Sequence, residues 1–165
     1  VVRGLQRKGQ VVAGPRALVV GSGGVGSAIA ASLAEAGIAT LALFDLAAAT
    51  AEALAARLAH HYPALEITLG VRDPAGCDIV VNATPLGMRE GDALPLDPDR
   101  LSPGSFVGEV VMRETFTPLL RAAQAQGCRV QPGTDMLFEM IPAYLEFFGL
   151  GTATAEQLRE VAKIK

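Results

Sequence analysis

The chain has 165 residues, 14 Lys+Arg against 17 Asp+Glu, a formal net charge of −3 and half its residues hydrophobic. This apolar fraction excludes disorder, the mildly acidic balance argues against a nucleic-acid partner, and no apolar run reaches the roughly 18 residues of a membrane helix. Two cysteines, Cys77 and Cys128, form neither a disulfide framework nor a CxxC pair, so a reducing cytoplasm is the expected compartment.

Residues 1–9 (VVRGLQRKG) read as the end of a helix, with Arg3, Arg7 and Lys8 on a solvated face. After Gly14-Pro15, the run Ala17–Val20 is a buried strand. Gly24–Ala36 is an Ala-rich helix stopped by Gly37, a common residue just past a helix end. Thr40–Phe44 is a second strand and Thr50–His60 a second helix. Glu66–Leu69 is a weaker strand, and Asp78–Val81 a strong one. Residues 85–104, rich in Pro, Gly and Asp, read as irregular, and Phe106–Val111 as a strand. Thr117–Gln126 is a helix with Pro118 in its first turn, where an N–H is not needed. Cys128–Val130 is a short strand, and the helices Asp135–Phe148 (with Pro142 inside) and Thr154–Lys163 close the chain.

Short, nearly continuous apolar strands alternating with helices are the mark of a parallel sheet covered on both faces. The expected fold is α/β and doubly wound: a mainly parallel, six-stranded Rossmann-type sheet with helices on both faces.

The first strand runs into Gly21-Ser22-Gly23-Gly24-Val25-Gly26, which fits GxGxxG at 21, 23 and 26. The motif alone is weak, but between a strand and a helix it carries a mechanism. Gly21 permits the tight turn, Gly23 lets the backbone approach a pyrophosphate, and Gly26 lets helix and strand lie close. Free N–H groups at the helix start then face the phosphates with the positive end of the helix dipole. Asp45 closes the second strand, 19 positions after Gly26. A carboxylate there accepts hydrogen bonds from ribose hydroxyls and repels a 2′-phosphate, and Leu46-Ala47-Ala48-Ala49 offers no cation to hold one. The expected cofactor is NAD, with NADP disfavoured. The competing reading of Asp45 is a helix cap or solvated loop acid.

Asn82-Ala83-Thr84-Pro85-Leu86-Gly87-Met88 follows the fourth strand, where a parallel sheet places ligands. Locally, Asn82 and Thr84 read equally well as turn residues.

Four segments together resemble the shikimate dehydrogenase family, including its quinate/shikimate members: GSGGVGSA, DIVVNATPLGM, TPLLRAAQAQGCRV and PGTDMLFEMIPAYLEFFG. They stand in the family's order from about residue 3 to residue 150 and cover the nucleotide-binding, C-terminal half of a member. The resemblance implies nucleotide contacts at Gly21–Val25, Asp45, Leu46, Asn82, Ala83, Thr84, Val110 and Gly133, with Met136 next to the nicotinamide. It also implies that the hydroxy acid is bound mainly by an N-terminal domain that supplies a catalytic Lys and Asp. That domain is absent from a chain that begins at Val1 without a methionine, which reads as a processed product, an excised domain or a fragment. Lys8, Lys163 and Lys165 match no such motif, so no catalytic residue is assigned within 1–165. Residues 1–14 are then the end of an interdomain helix and its linker, 15–150 the NAD(P)-binding domain and 151–165 a C-terminal helix.

Three departures from the family pattern stand out. Phe44-Asp45-Leu46 replaces an Asn-Arg-Thr that holds NADP. Glu109 and Met112 replace an Asp and a substrate-binding Tyr, and Met140 replaces a Gln that reaches the substrate. A thioether cannot substitute for an amide's donors and acceptor. The departures point to a shikimate-dehydrogenase-like paralogue acting on shikimate, quinate or a related ring acid, with Met112 and Met140 at the substrate positions.

The other features read as ordinary. His60 and His61 have no partners spaced for a metal, so none is expected. Cys77 and Cys128 lack a local activating His. Leu137, Met140, Tyr144, Phe147 and Phe148 form an apolar stripe that packs in the core, meets the other domain or associates with a second copy. The expected partner is a small ring acid, reached through the missing domain, with no nucleic acid and no membrane; a homo-oligomer is left open. The alternative function is a stand-alone NAD-binding regulatory or sensor module without catalysis. Another two-domain dehydrogenase, of methylenetetrahydrofolate type, is disfavoured by the DMLFEM and TPLL segments.

Overall fold

The computed structural model describes residues 14–112, 116–147, 149 and 153–162, with only some of the side chains in the last two helices. The expected helix end at 1–9, its basic cluster, and the side chains of the 137–148 stripe lie outside the described residues.

Six strands form one sheet: β1 (Arg16–Val20), β2 (Thr40–Phe44), β3 (Glu66–Leu69), β4 (Ile79–Asn82), β5 (Phe106–Glu109) and β6 (Arg129–Gln131). Their order is β3-β2-β1-β4-β5-β6, and all five pairings are parallel. The expectation of a mainly parallel sheet is met with every pair parallel. The helices are α1 (Gly24–Glu35), α2 (Ala48–His61), α3 (Pro118–Ala125), α4 (Gly133–Phe147) and α5 (Ala155–Ala162).

Residue parity divides the core. Ala17, Val19, Leu41, Leu43, Ile79, Val81 and Phe106 face one side and pack with Ile29, Ala30 and Leu33 of α1 and Leu54 and Leu58 of α2. The alternate residues Leu18, Val20, Val80 and Val107 face the other side and meet Leu119, Leu120 and Ala123 of α3. Buried on both faces, the central strands read as unbroken apolar runs. Edge strand β3 is mostly exposed, which accounts for its weaker pattern. Between β4 and β5 the second layer is no α-helix; Leu96 and Leu101, on either side of a short 3-10 turn at Pro98–Arg100, fill it.

Boundaries moved where side chains supply hydrogen bonds that pattern alone does not reveal. Helix α2 begins two residues before Thr50 because the Asp45 carboxylate accepts from Ala47 N at 2.9 Å and turns the chain early. Strand β5 ends at Glu109 rather than Val111. The chain leaves the sheet at Val110 to pass the start of α4, where a Cβ on Gly133 would overlap the Val111 carbonyl. Helix α5 packs on α4. No helix among the described residues is long and apolar enough to cross a membrane.

Glu109 is a buried carboxyl at the end of β5. It is 2% exposed, beside Asn82 of β4 and near Thr117, yet neither carboxylate oxygen has a partner at hydrogen-bonding geometry. Burial pushes its pKa above the ordinary carboxylate value of 4.5, and Thr117 and Asn82 pull it only partly back. A carboxyl whose folded pKa is raised contributes stability below pH 4.5 that is lost as the pH climbs through the folded value. Glu109→Gln keeps the shape and removes the charge. Its melting temperature should exceed that of the parent at pH 8, with the gap closing towards pH 4.5. Parallel melting curves at all pH values would show that the carboxyl is already solvated.

Candidate functional site

The strand order reverses direction between β1 and β4, and the crevice outside their carboxyl ends is where open α/β sheets bind ligands. Both predicted motifs meet there. Gly21 has φ +98, and a Cβ on it would stand 2.8 Å from the Ala83 carbonyl oxygen and 2.9 Å from Thr84 Cγ2. Only glycine satisfies that conformation and that approach together. Gly21 N donates to Phe44 O, and Ala83 N to Val20 O, each at 2.7 Å, so the ends of β2, β1 and β4 are tied side by side. A Cβ on Gly26 would collide with the Gly21 carbonyl oxygen, which confirms the helix-to-strand contact expected of the third glycine.

Gly23 and Gly24 differ from these two. A Cβ at either meets nothing within 4 Å, so they border open space. Gly23 caps α1 without a side-chain hydrogen bond, and the first turn of α1 carries no acid. Ser27 N donates to Gly23 O at 2.8 Å, which leaves the N–H groups of Gly24, Val25 and Gly26 with no backbone acceptor among the described residues. The positive end of the α1 dipole therefore faces the crevice, with Asp45 held one step away on Ser22 N rather than on the helix's own first amides.

Ser22 departs from the expected pattern of free amides. Its N–H donates to Asp45 Oδ2 at 2.7 Å and is therefore already paired. Its hydroxyl, in a residue only 2% exposed, has no partner among the described residues. Ser27 Oγ donates to Ser22 O at 3.0 Å and fixes the loop from behind, a support that sequence reading did not identify.

Asp45 bonds with both oxygens, to Ser22 N and Ala47 N. It is neither the cap of α2, which is Ala47, nor a merely solvated acid. Each carboxylate oxygen has a second lone pair, so the group can still accept from a ligand. Asn82 is fully buried: its Oδ1 accepts from Thr84 N (3.0 Å) and Thr84 Oγ1 (2.7 Å), and its Nδ2 donates to Leu86 O (3.1 Å). Asn82 and Thr84 thus build the turn that presents Ala83 and Pro85 to the crevice.

A cleft of about 320 Å³ runs along this edge, lined by Gly21, Gly23, Asp45, Leu46, Ala83 and Thr84 among the expected residues. Phe44, Arg72, Pro85 and Pro95 line it too. Arg72 and Pro95 escaped sequence reasoning because both lie outside any motif. The usable signal was the strand order, which sets the exit of β3 beside that of β2. Of the remaining expected residues, Val110 and Gly133 stand together. Val110 N donates to Asn82 O at 3.1 Å, and a Cβ on Gly133 would stand 2.7 Å from the Val110 carbonyl carbon. Met136 is buried in the core, and Met112 is half exposed. Met140 lies on α4, with its side chain outside the described residues.

The cradle fits a dinucleotide. Two glycines admit no side chain, two border open space, three amides await an acceptor, and Ser22 carries an unpartnered buried hydroxyl. Elsewhere, burial raises the thiols of Cys77 and Cys128, disfavouring the reactive thiolate. His60 and His61 stack edge to face at the end of α2, and no group of three metal-ligating side chains occurs among the described residues.

No family model matches the chain. A shikimate dehydrogenase (NADP(+)) of Sinorhizobium fredii is 33% identical over 146 residues, spanning 88% of this chain and 51% of the relative. A quinate/shikimate dehydrogenase (NAD(+)) of Corynebacterium efficiens is 38% identical over 140 residues, spanning 79% of this chain and 48% of the relative. The crystal structure of quinate dehydrogenase from Corynebacterium glutamicum in complex with NAD superposes with a TM-score of 0.84 at 32% identity, over 96% of this chain and 58% of that one. The chain matches the nucleotide-binding half of shikimate/quinate dehydrogenases. It spans about half the length of the curated relatives it matches. Two of these relatives differ in cofactor, one named for NADP(+) and the other for NAD(+).

Proposed function

We propose that this chain is the dinucleotide domain of an oxidoreductase that moves hydride reversibly between NAD(P) and a hydroxyl or keto ring acid (shikimate, quinate or a relative), with NAD preferred. The observation that carries the reading is the start of α1, whose first three amides lack a backbone acceptor among the described residues, held against the 82–84 turn by glycines that admit no side chain. The cofactor, when bound, supplies the nicotinamide carbon that gives or takes hydride. Gly23, Gly24 and Val25 bind the pyrophosphate, with Gly26 and Ser22 shaping the loop. Asp45 and Leu46 meet the adenosine ribose. Asn82, Ala83 and Thr84 hold the middle of the cofactor, and Val110, Gly133 and Met136 position the nicotinamide end and exclude water there.

In this reading residues 15–150 form the domain, 1–14 lead into it and 151–165 close it as a C-terminal helix. The ring acid is bound mainly by a further domain that brings the Lys and Asp for proton transfer. Met112 and Met140 are assigned to the substrate edge, where a thioether does not replace an amide's donors and acceptor.

Titrating NADH and NADPH against the chain, read by nucleotide fluorescence, tests the reading. NADH should bind about tenfold tighter than NADPH, since a like charge beside Asp45 costs about 1 kcal/mol or more. The same chain should show no turnover with shikimate or quinate. Failure to bind either nucleotide refutes the dinucleotide reading; robust turnover refutes the placing of the catalytic pair outside residues 1–165.

A further inference from the structure

The cleft beside Asp45 has a cation that the sequence around Asp45 does not supply. Edge strand β3 ends at Leu69, and Gly70 (φ +76) turns the chain off the sheet while its N–H still donates to Leu43 O at 3.1 Å. Three residues on, Asp73 accepts from Ala75 N at 3.0 Å and holds Arg100 in a two-pronged pair at 2.7 and 2.6 Å. Arg72 sits between these two anchors, so its backbone is placed at the mouth of the cleft.

The Arg72 guanidinium carbon stands 5.5 Å from the centre of the Phe44 ring, the residue immediately before Asp45. It lines the same cleft as Gly21, Gly23, Asp45 and Leu46 and is the one cationic side chain there among the described residues. Its observed partner is the Phe44 ring, while the Asp45 carboxylate accepts from Ser22 N and Ala47 N. An exposed guanidinium resting on a partly buried aromatic ring is held by only about 1 kcal/mol. A phosphate would draw it away, because charge-assisted, two-pronged bonds are stronger.

We propose that Arg72 is a specificity-determining residue at the adenosine end of the cleft, the counter-charge that takes a 2′-phosphate and lets the site accept NADP alongside NAD. The proposal rests on the dinucleotide reading above. Asp45, from the end of β2, disfavours the phosphate; Arg72, from the end of β3, offsets that penalty. Their balance sets the cofactor ratio, and the determinant is split across two neighbouring strands rather than carried on one.

The test compares the chain with Arg72→Ala and Arg72→Lys, measuring dissociation constants for NADH and NADPH and the salt dependence of each. Arg72 is exposed, and thermal melts of both variants should match the parent. Arg72→Ala should weaken NADPH about tenfold, the size of a lost charge-assisted bond, while leaving NADH within about twofold. Arg72→Lys should recover part of the NADPH affinity. Salt should weaken NADPH binding more than NADH binding in the parent, and this difference should shrink in Arg72→Ala. Equal loss for both nucleotides would mean that Arg72 only stacks on the base and would overturn the proposal. So would an unchanged ratio, or a parent that binds NADH but not NADPH. A parent that binds neither nucleotide would instead refute the dinucleotide reading itself.

Discussion

Gly26→Ala should unfold the glycine loop's contact with β1, and Gly23→Ala, three residues away, should leave the fold intact and block the nucleotide. The contrast follows from what a methyl group meets. At Gly26 it overlaps the Gly21 carbonyl oxygen and stands 2.8 Å from the carbonyl carbon and 3.3 Å from Ala83 Cβ. Backbone lies on one side and a packed helix on the other, so α1 must lift from the sheet. Overpacking of this kind costs about 1–3 kcal/mol, which in a domain of this size lowers the melting temperature by roughly 2–4 °C per kcal/mol. Lifting α1 also withdraws the three unpaired amides, so NADH affinity should fall by more than about tenfold. At Gly23 the φ of −67 suits any residue and the methyl meets nothing within 4 Å. Stability should change by less than about 1 kcal/mol, the usual difference between Gly and Ala at a helix cap. Affinity should nevertheless drop, because the methyl occupies the space that a pyrophosphate needs to reach the backbone. Thermal melts and NADH titrations on the two variants separate these outcomes. A stable Gly26→Ala that binds normally would show that the close helix-to-strand contact is dispensable.

The glycine loop was legible in the sequence because its chemistry is local: a strand, a turn only glycine can make and a helix start lie within eleven residues, 16–26. The sheet was legible for a related reason, since strands buried on both faces have no polar alternation to obscure them. What stayed hidden depends on neighbours far apart in sequence. Nothing near Arg72 marks it as part of a ligand cleft; the pairing of Leu43 with Leu69 brings it there. Likewise, Val110 and Val111 continue an apolar run without continuing the strand. Val111 is buried against the start of α4, and hydropathy does not distinguish that contact from a ladder partner. Asp45 shows the limit most clearly. Its position after β2 was readable, but its bonds to Ser22 and Ala47 were not, and these give it a second duty in the fold.

That double duty shapes the expected behaviour of Asp45 variants. Asp45→Ala removes both acceptors, freeing Ser22 N and Ala47 N, and should cost about 1–3 kcal/mol in stability if those amides stay dry. Asp45→Asn keeps one acceptor oxygen but sets an amide NH₂ against the other donor, so it should cost less than alanine and more than nothing. Nucleotide binding distinguishes this structural duty from the ribose contact proposed above. If Asp45 only braces the loop, both variants should weaken NADH and NADPH by the same factor, because both share the pyrophosphate seat. If it also accepts from the ribose and repels a 2′-phosphate, NADH should weaken by about tenfold or more while NADPH holds or improves, reversing the preference. Asp45→Ala combined with an arginine at Leu46 should carry the reversal further, since a second cation then joins Arg72 around the phosphate. Arg72→Ala introduced into that background should remove the Arg72 share of the gain, and an effect smaller than in the parent would show that the two cations compete for one phosphate rather than share it.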